Sequence, residues 1–240
     1  MAGHSKWSNI KRRKGAVDAK RAKIFTKIGR EIQVAVRAGG PDPEINSRLK
    51  DVIAKARANN MPNDNINRSI KKASGDGSTD QLEDIQYEGY GAGGVAFMVR
   101  TLTDNRNRTA ADIRHIFDKF GGNLGTTGCV SFMFQNQGQI FLEREKYPDA
   151  EEIMMAALEA GAEDIVEEEE VYVVVTAPEN YHEVLDQLSV DYEIASSELG
   201  PVPDNTMNIS DAETVTQLEK LIDALEDNDD VQDIYHNWDE

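Results

Sequence analysis

The chain is predicted to be α+β and multidomain: a basic three-helix N-terminal domain, then two ferredoxin-like α/β domains, one inserted in the other. Three observations point there. Apolar residues recur at 3–4 spacing through three early segments, as amphipathic helices require. Beyond them, β-branched runs alternate with helical patterns, the signature of strands and crossover helices. Charge changes sign at the same boundary: residues 1–75 hold 18 Lys+Arg against 6 Asp+Glu, and residues 76–240 hold 8 against 38.

Residues 1–15 carry Lys6, Lys11, Arg12, Arg13 and Lys14 with little apolar period and read as an extended arm. Ile24, Ile28, Ile32 and Ala35 predict a helix over 16–38, stopped by Gly39. Asp42-Pro43 reads as a cap and first turn for a second helix that places Leu49, Val52, Ile53 and Ala56 on one face. Pro62-Asn63 restarts a third helix with Ile66, Ile70 and Ala73 inward, ending at Gly75. After a Gly/Ser linker the pattern predicts strand 95–103, helix 107–120 and strand 130–134. A complete βαββαβ unit follows: strand 139–143, helix 150–160, strands 164–168 and 171–176, helix 178–188 and strand 192–197. Strand 206–209, helix 212–226 and strand 231–235 close the chain, with Ser210 and Glu213 spaced as a capping box. The expected domains are 1–75, a split domain of 76–135 plus 200–240, and an inserted acidic domain of 136–199.

Composition narrows the function. With 39% hydrophobic and 29% charged residues the chain reads as soluble and globular. No apolar run reaches the ~18 residues of a membrane span, no secretory leader is evident, and a single cysteine suits a cytoplasmic location. The net charge of −18 conceals a cationic end of +12 joined to an anionic body of −30. Such polarity draws one end to polyanions and repels the other.

Lys6, Lys11, Arg12, Arg13 and Lys14, followed by Lys20, Arg21, Lys23, Lys27 and Arg30, form the leading candidate site. Only Asp18 and Glu31 lie nearby to neutralise them, so a phosphate polymer is the expected counterion. Trp7 is a candidate base-stacking residue, set against packing within its own domain. A second candidate lies where strand 95–103 turns into the next helix. There Arg106, Arg108 and Arg114 could converge on a phosphate, set against helix capping and pairing with Asp104, Asp112 and Asp118.

Gly89-Tyr90-Gly91-Ala92-Gly93-Gly94 matches G-x-G-x-x-G but precedes a strand instead of opening a helix, so it reads as a close turn and not a dinucleotide site. Cys129 has no evident base, and the four histidines are scattered. No catalytic constellation, metal site or cofactor is expected.

His4 through Gly15, Asn59 through Ile66, Tyr87 through Gly91, Thr103 through Thr109 and Gly121 through Gly125 together carry a resemblance. In these stretches the chain resembles the YebC/PmpR-like family, which includes a mitochondrial branch of translational activators of cytochrome oxidase. The likeness spans nearly the whole chain. Ala92 and Cys129 depart from it, where proline and serine are usual. The resemblance implies a helical domain followed by two α/β domains and a non-enzymatic regulator of gene expression. That regulator would be DNA-binding and transcriptional or, alternatively, a ribosome-associated translation factor using the same basic arm on ribosomal RNA. The acidic domains would then face the transcription machinery or basic ribosomal proteins. The resemblance supplies no residue-level recognition code, and the sequence sets no oligomeric state.

Overall fold

The computed structural model describes Trp7, residues 17–75 and residues 82–239, with the side chains of 17–21 left aside. The described residues form two compact units. One comprises residues 17–75, 82–129 and Asp211–Ile234; the other comprises Trp7, Val130–Ser210 and residues 235–239.

The first unit begins with three helices: α1 (Val17–Gly39), α2 (Ser47–Ala58) and α3 (Asn63–Ser74). Their inward residues are those the spacing selects. Ile28, Ile32, Ala35, Leu49, Val52, Ile53, Ala56 and Ile66 form one apolar cluster, with Ile24, Ile70 and Ala73 packed against it. Helix α2 starts four residues later than the Asp42-Pro43 signal suggests. Asn46 is its cap, accepting from Leu49 N while its amide donates to the Ala35 and Gly40 carbonyls. Asp42 instead closes a turn, accepting at its side chain from Glu44 N.

A four-stranded sheet completes this unit. Its strands are β1 (Glu83–Tyr90), β2 (Ala96–Thr103), β3 (Asn123–Leu124) and β9 (Val231–His236), in the order β3-β1-β2-β9. Helices α4 (Arg106–Lys119) and α7 (Ala212–Asp227) belong with it. The β1–β2 hairpin lies at the sheet centre, and β1 is a strand that the sequence pattern does not reveal. The glycine run makes the turn between these two strands. Gly93 and Gly94 take φ of 68° and 81°, and a Cβ on Gly91 would sit 2.6 Å from the Phe97 ring. Helix α7 is capped by Asp211, not Ser210: its carboxylate accepts from Thr214 N and Oγ1.

The second unit carries the sheet of β4 (Phe134–Glu143), β5 (Asp164–Glu167), β6 (Val171–Thr176) and β7 (Ser196–Pro203). Helices α5 (Ala150–Glu159) and α6 (Tyr181–Asp191) complete βαββαβ. All pairings are antiparallel and the order is β5-β6-β4-β7, the ferredoxin-like arrangement. Alternation divides its strands cleanly. Ile140, Leu142, Tyr172 and Val174 meet the helices, while Phe141, Val171 and Val173 face the other way.

Two expected strands change character. Residues 131–133 form a 3₁₀ turn leading into β4, because Val130 is drawn into the core and interrupts the pleat. The 206–209 segment shrinks to β8 (Met207–Asn208), paired in parallel with β10 (Trp238–Asp239).

Candidate nucleic-acid interface

Helix α1 brings its cations to the end of α7 and the start of β9. Lys23 Nζ donates to an Asp227 carboxylate oxygen at 3.2 Å, and Lys27 Nζ donates to the Glu226 carbonyl at 2.6 Å. The Arg30 guanidinium donates to the Asp229 carbonyl and to Asp230 Oδ1, each at 2.7 Å. These residues were expected to face a phosphate polymer. In the fold their ammonium and guanidinium groups donate to the chain's own carboxylates and carbonyls.

Asp230 is the hub. Its side chain is 7% exposed and receives Arg30, Arg108 Nη2 at 3.0 Å and the Thr109 hydroxyl at 2.7 Å. Burial pushes its carboxyl up, but the hydrogen bonds from Thr109, Arg108 and Arg30 outweigh burial and hold it below the usual carboxylate range. A second group lies nearby: Lys55 meets Glu31 at 2.7 Å and Asp233 at 3.4 Å, and Arg100 joins Asp84 to Asp233. Burial raises the Glu31 carboxyl, with Lys55 opposing that shift.

At the strand-to-helix junction Arg108 has acidic partners within the chain. Asn105 caps α4 by accepting from Arg108 N, and the Arg108 side chain bridges Asp104 and Asp230. Arg106 and Arg114 remain on the exposed face of α4.

Trp7, the stacking candidate, packs within its own unit. It is 7% exposed, lies on Phe141 with ring centroids 6.0 Å apart and an 18° interplanar angle, and donates from Nε1 to Glu170 at 2.9 Å. It covers the sheet face away from α5 and α6, with Val171 and Val173. Lys6, Lys11, Arg12, Arg13 and Lys14 lie outside the described residues, as do the side chains of Lys20 and Arg21.

An outward cationic surface lies on α3, which the charge reading passed over. Ile66, Ile70 and Ala73 turn inward, so Asn63, Asn67, Arg68, Lys71 and Lys72 are exposed. Among the described residues no hydrogen bond or ion pair reaches the side chains of Arg68, Lys71 or Lys72. The period that placed the three apolar residues also fixes this opposite face, so the signal was present in the sequence. Between α1 and α3 runs an open groove in two joined parts, both lined by Phe25, Thr26, Arg68 and Ser69. Asn65 and Met61 line one part, Lys72 and Asp104 the other.

Burial, and then the charge of Glu88, push the Cys129 thiol up, away from the reactive thiolate. Among the described residues no group of three His, Cys, Asp or Glu side chains is arranged to hold a metal ion. No described helix is long and apolar enough to cross a membrane.

Comparison with known proteins bears on the whole chain. Residues 5–76 match the TACO1/YebC protein N-terminal domain, and residues 82–238 match the TACO1/YebC second and third domain. A relative from Acetivibrio thermocellus named "Probable transcriptional regulatory protein" is 56% identical over 239 residues, covering 99% of both chains. One of the same name from Finegoldia magna is 57% identical, covering 100% of this chain and 99% of its own. A solved structure of a conserved hypothetical protein from Aquifex aeolicus superposes with a TM-score of 0.81 at 46% identity. It covers 93% of this chain and 92% of the other.

Proposed function

Taking as premise that this chain belongs to the TACO1/YebC family, we propose that it is a cytoplasmic, non-enzymatic regulator of gene expression that binds nucleic acid through its helical module. The exposed face of α3 carries this reading. Arg68, Lys71 and Lys72 stand at i, i+3 and i+4 spacing, where like charges repel by a few tenths of a kcal/mol per pair. Asp64 is the only acid in the helix. A bound phosphate backbone relieves that repulsion and releases its own counterions.

Two targets suit this surface. Helices α2 and α3 are joined by the four residues Asn59–Pro62, the link length of a helix-turn-helix. Asn63, Asn67 and Arg68 are side-chain types that read adenine and guanine edges in a major groove. The names of the relatives favour this duplex DNA reading. Folded RNA, including ribosomal RNA, is the second reading, favoured by a face with more phosphate-type cations than base-reading amides. In either case three parts divide the work: the helical segment 1–75 contacts the polymer, with its arm adding cations. The acidic domains, 76–135 with 200–240 and the inserted 136–199, are repelled by the polymer and left for protein partners.

The test is binding to duplex DNA and to structured RNA across a salt series, with the protein's sedimentation in a lysate gradient followed in parallel. Affinity should fall with a log–log slope of roughly −3 to −6. Sequence-specific duplex footprints support the DNA reading, and co-migration with ribosomes that survives DNase supports the RNA one. Binding that ignores salt and polymer alike defeats both.

A further inference from the structure

The groove between α1 and α3 has a chemistry that a plain phosphate-binding surface does not need. Phe25 is half-buried: it packs against the helical core and lines both parts of the groove. Asn65 and Ser69 stand on the wall opposite, supplying an amide and a hydroxyl. Arg68 and Lys72 stand one helical turn apart at the rim, both exposed. The acid on the wall, Asp104, is already held by Arg108 at 2.9 Å. The two helices approach closely here, since a Cβ on Gly29 would lie 3.6 Å from Ser69 Oγ.

We propose that this groove takes one unpaired nucleotide, its base against Phe25 and its phosphate between Arg68 and Lys72. The proposal rests on the nucleic-acid reading above and deepens it by naming the form of strand bound at this point. A base paired and stacked in a duplex cannot present its face to a ring recessed between two helices. A base splayed from a loop, bulge or single strand can. Aromatic stacking needs only a π-face, so the slot accepts any base, while the Asn65 amide can pair with whatever edge it meets. The nearby cations supply the salt-dependent part of the binding.

Fluorescence anisotropy with labelled oligoadenylates of about 12 nucleotides, within the usual range of single-strand site sizes, provides the test. RNA, DNA and the matching duplex are compared on the full-length protein. Phe25→Leu keeps an apolar side chain for the core and removes the ring. It is expected to weaken single-strand binding roughly tenfold and leave duplex binding unchanged. Equal loss on both forms, or no loss on either, overturns the slot. Arg68→Glu with Lys72→Glu tests the parent reading separately, because it should reduce binding to single strand and duplex alike; if neither moves, that reading fails whatever Phe25 does. Phe25→Trp guards against a folding artefact. Its fluorescence should be quenched by a saturating single-stranded oligonucleotide and not by duplex, and unquenched emission overturns the proposal. The RNA and DNA arms show whether the 2′-hydroxyl matters.

Discussion

Helices α1 and α3 both carry dense positive charge, yet they use it in opposite ways. Lys23, Lys27 and Arg30 of α1 reach acids and carbonyls at residues 226–230, about 200 positions away in the chain. Arg68, Lys71 and Lys72 of α3 meet no such partners among the described residues. The α1 cations fasten the helical segment to the sheet that follows it, and the α3 cations face solvent. A run of lysines and arginines therefore reports the need for an anion, and the fold decides whether that anion comes from the same chain.

Five experiments break or sharpen this contrast, the strongest first. Asp230→Ala leaves Arg30, Arg108 and Thr109 without their shared acceptor and should cost about 3–5 kcal/mol in urea unfolding. The same carboxylate predicts an acid response. Its folded pKa is lowered, so its stabilisation is complete above the unfolded value of about 3.9 and is lost as pH falls through the folded pKa. Unfolding midpoints measured from pH 6 down to pH 2 should drop most below about pH 4, and the Asp230→Ala variant should show a shallower fall.

Trp7→Ala removes the ring from Phe141 and the bond to Glu170, and should destabilise the second unit by about 3 kcal/mol, with greater binding of an apolar dye. Because that change touches neither helix, nucleic-acid affinity altered as much as by the α3 substitutions would blur the contrast. Arg68→Ala with Lys72→Ala should leave the melting temperature within a degree or two and flatten the salt slope by about 2. Lys23→Ala removes an exposed pair, with side chains 46% and 58% accessible. It should change stability by less than about 0.5 kcal/mol and leave the salt slope as it was. A slope change equal to that of the α3 pair would erase the distinction between the helices.

Much of the framework was legible from periodicity. The helical core follows the 3–4 spacing of Ile28, Ile32, Leu49, Val52 and Ile66, and the βαββαβ order emerges from alternating apolar runs. Strand β1 was not legible. Asp84, Gln86 and Glu88 dilute its pattern, and it is a strand because β2 pairs with it along its length. The 130–134 run misled in the opposite direction, since a short apolar stretch does not reveal whether it pleats or turns. The candidate site divided along similar lines. Which helix turns its cations outward depends on Asp227, Asp230 and Asp233, and no local pattern ties these acids to Lys23, Arg30 or Lys55.

That long-range fastening has a consequence for biosynthesis. A ribosome adding roughly 5–20 residues per second completes α1 some 10–40 s before it reaches Asp230. Throughout that interval the nascent helix carries its cations without the carboxylates that later cover them, beside the RNA of the machine making it. The acidic C-terminal segment therefore arrives last, and α1 gains its partners at residues 226–230 only once nearly the whole chain has been made.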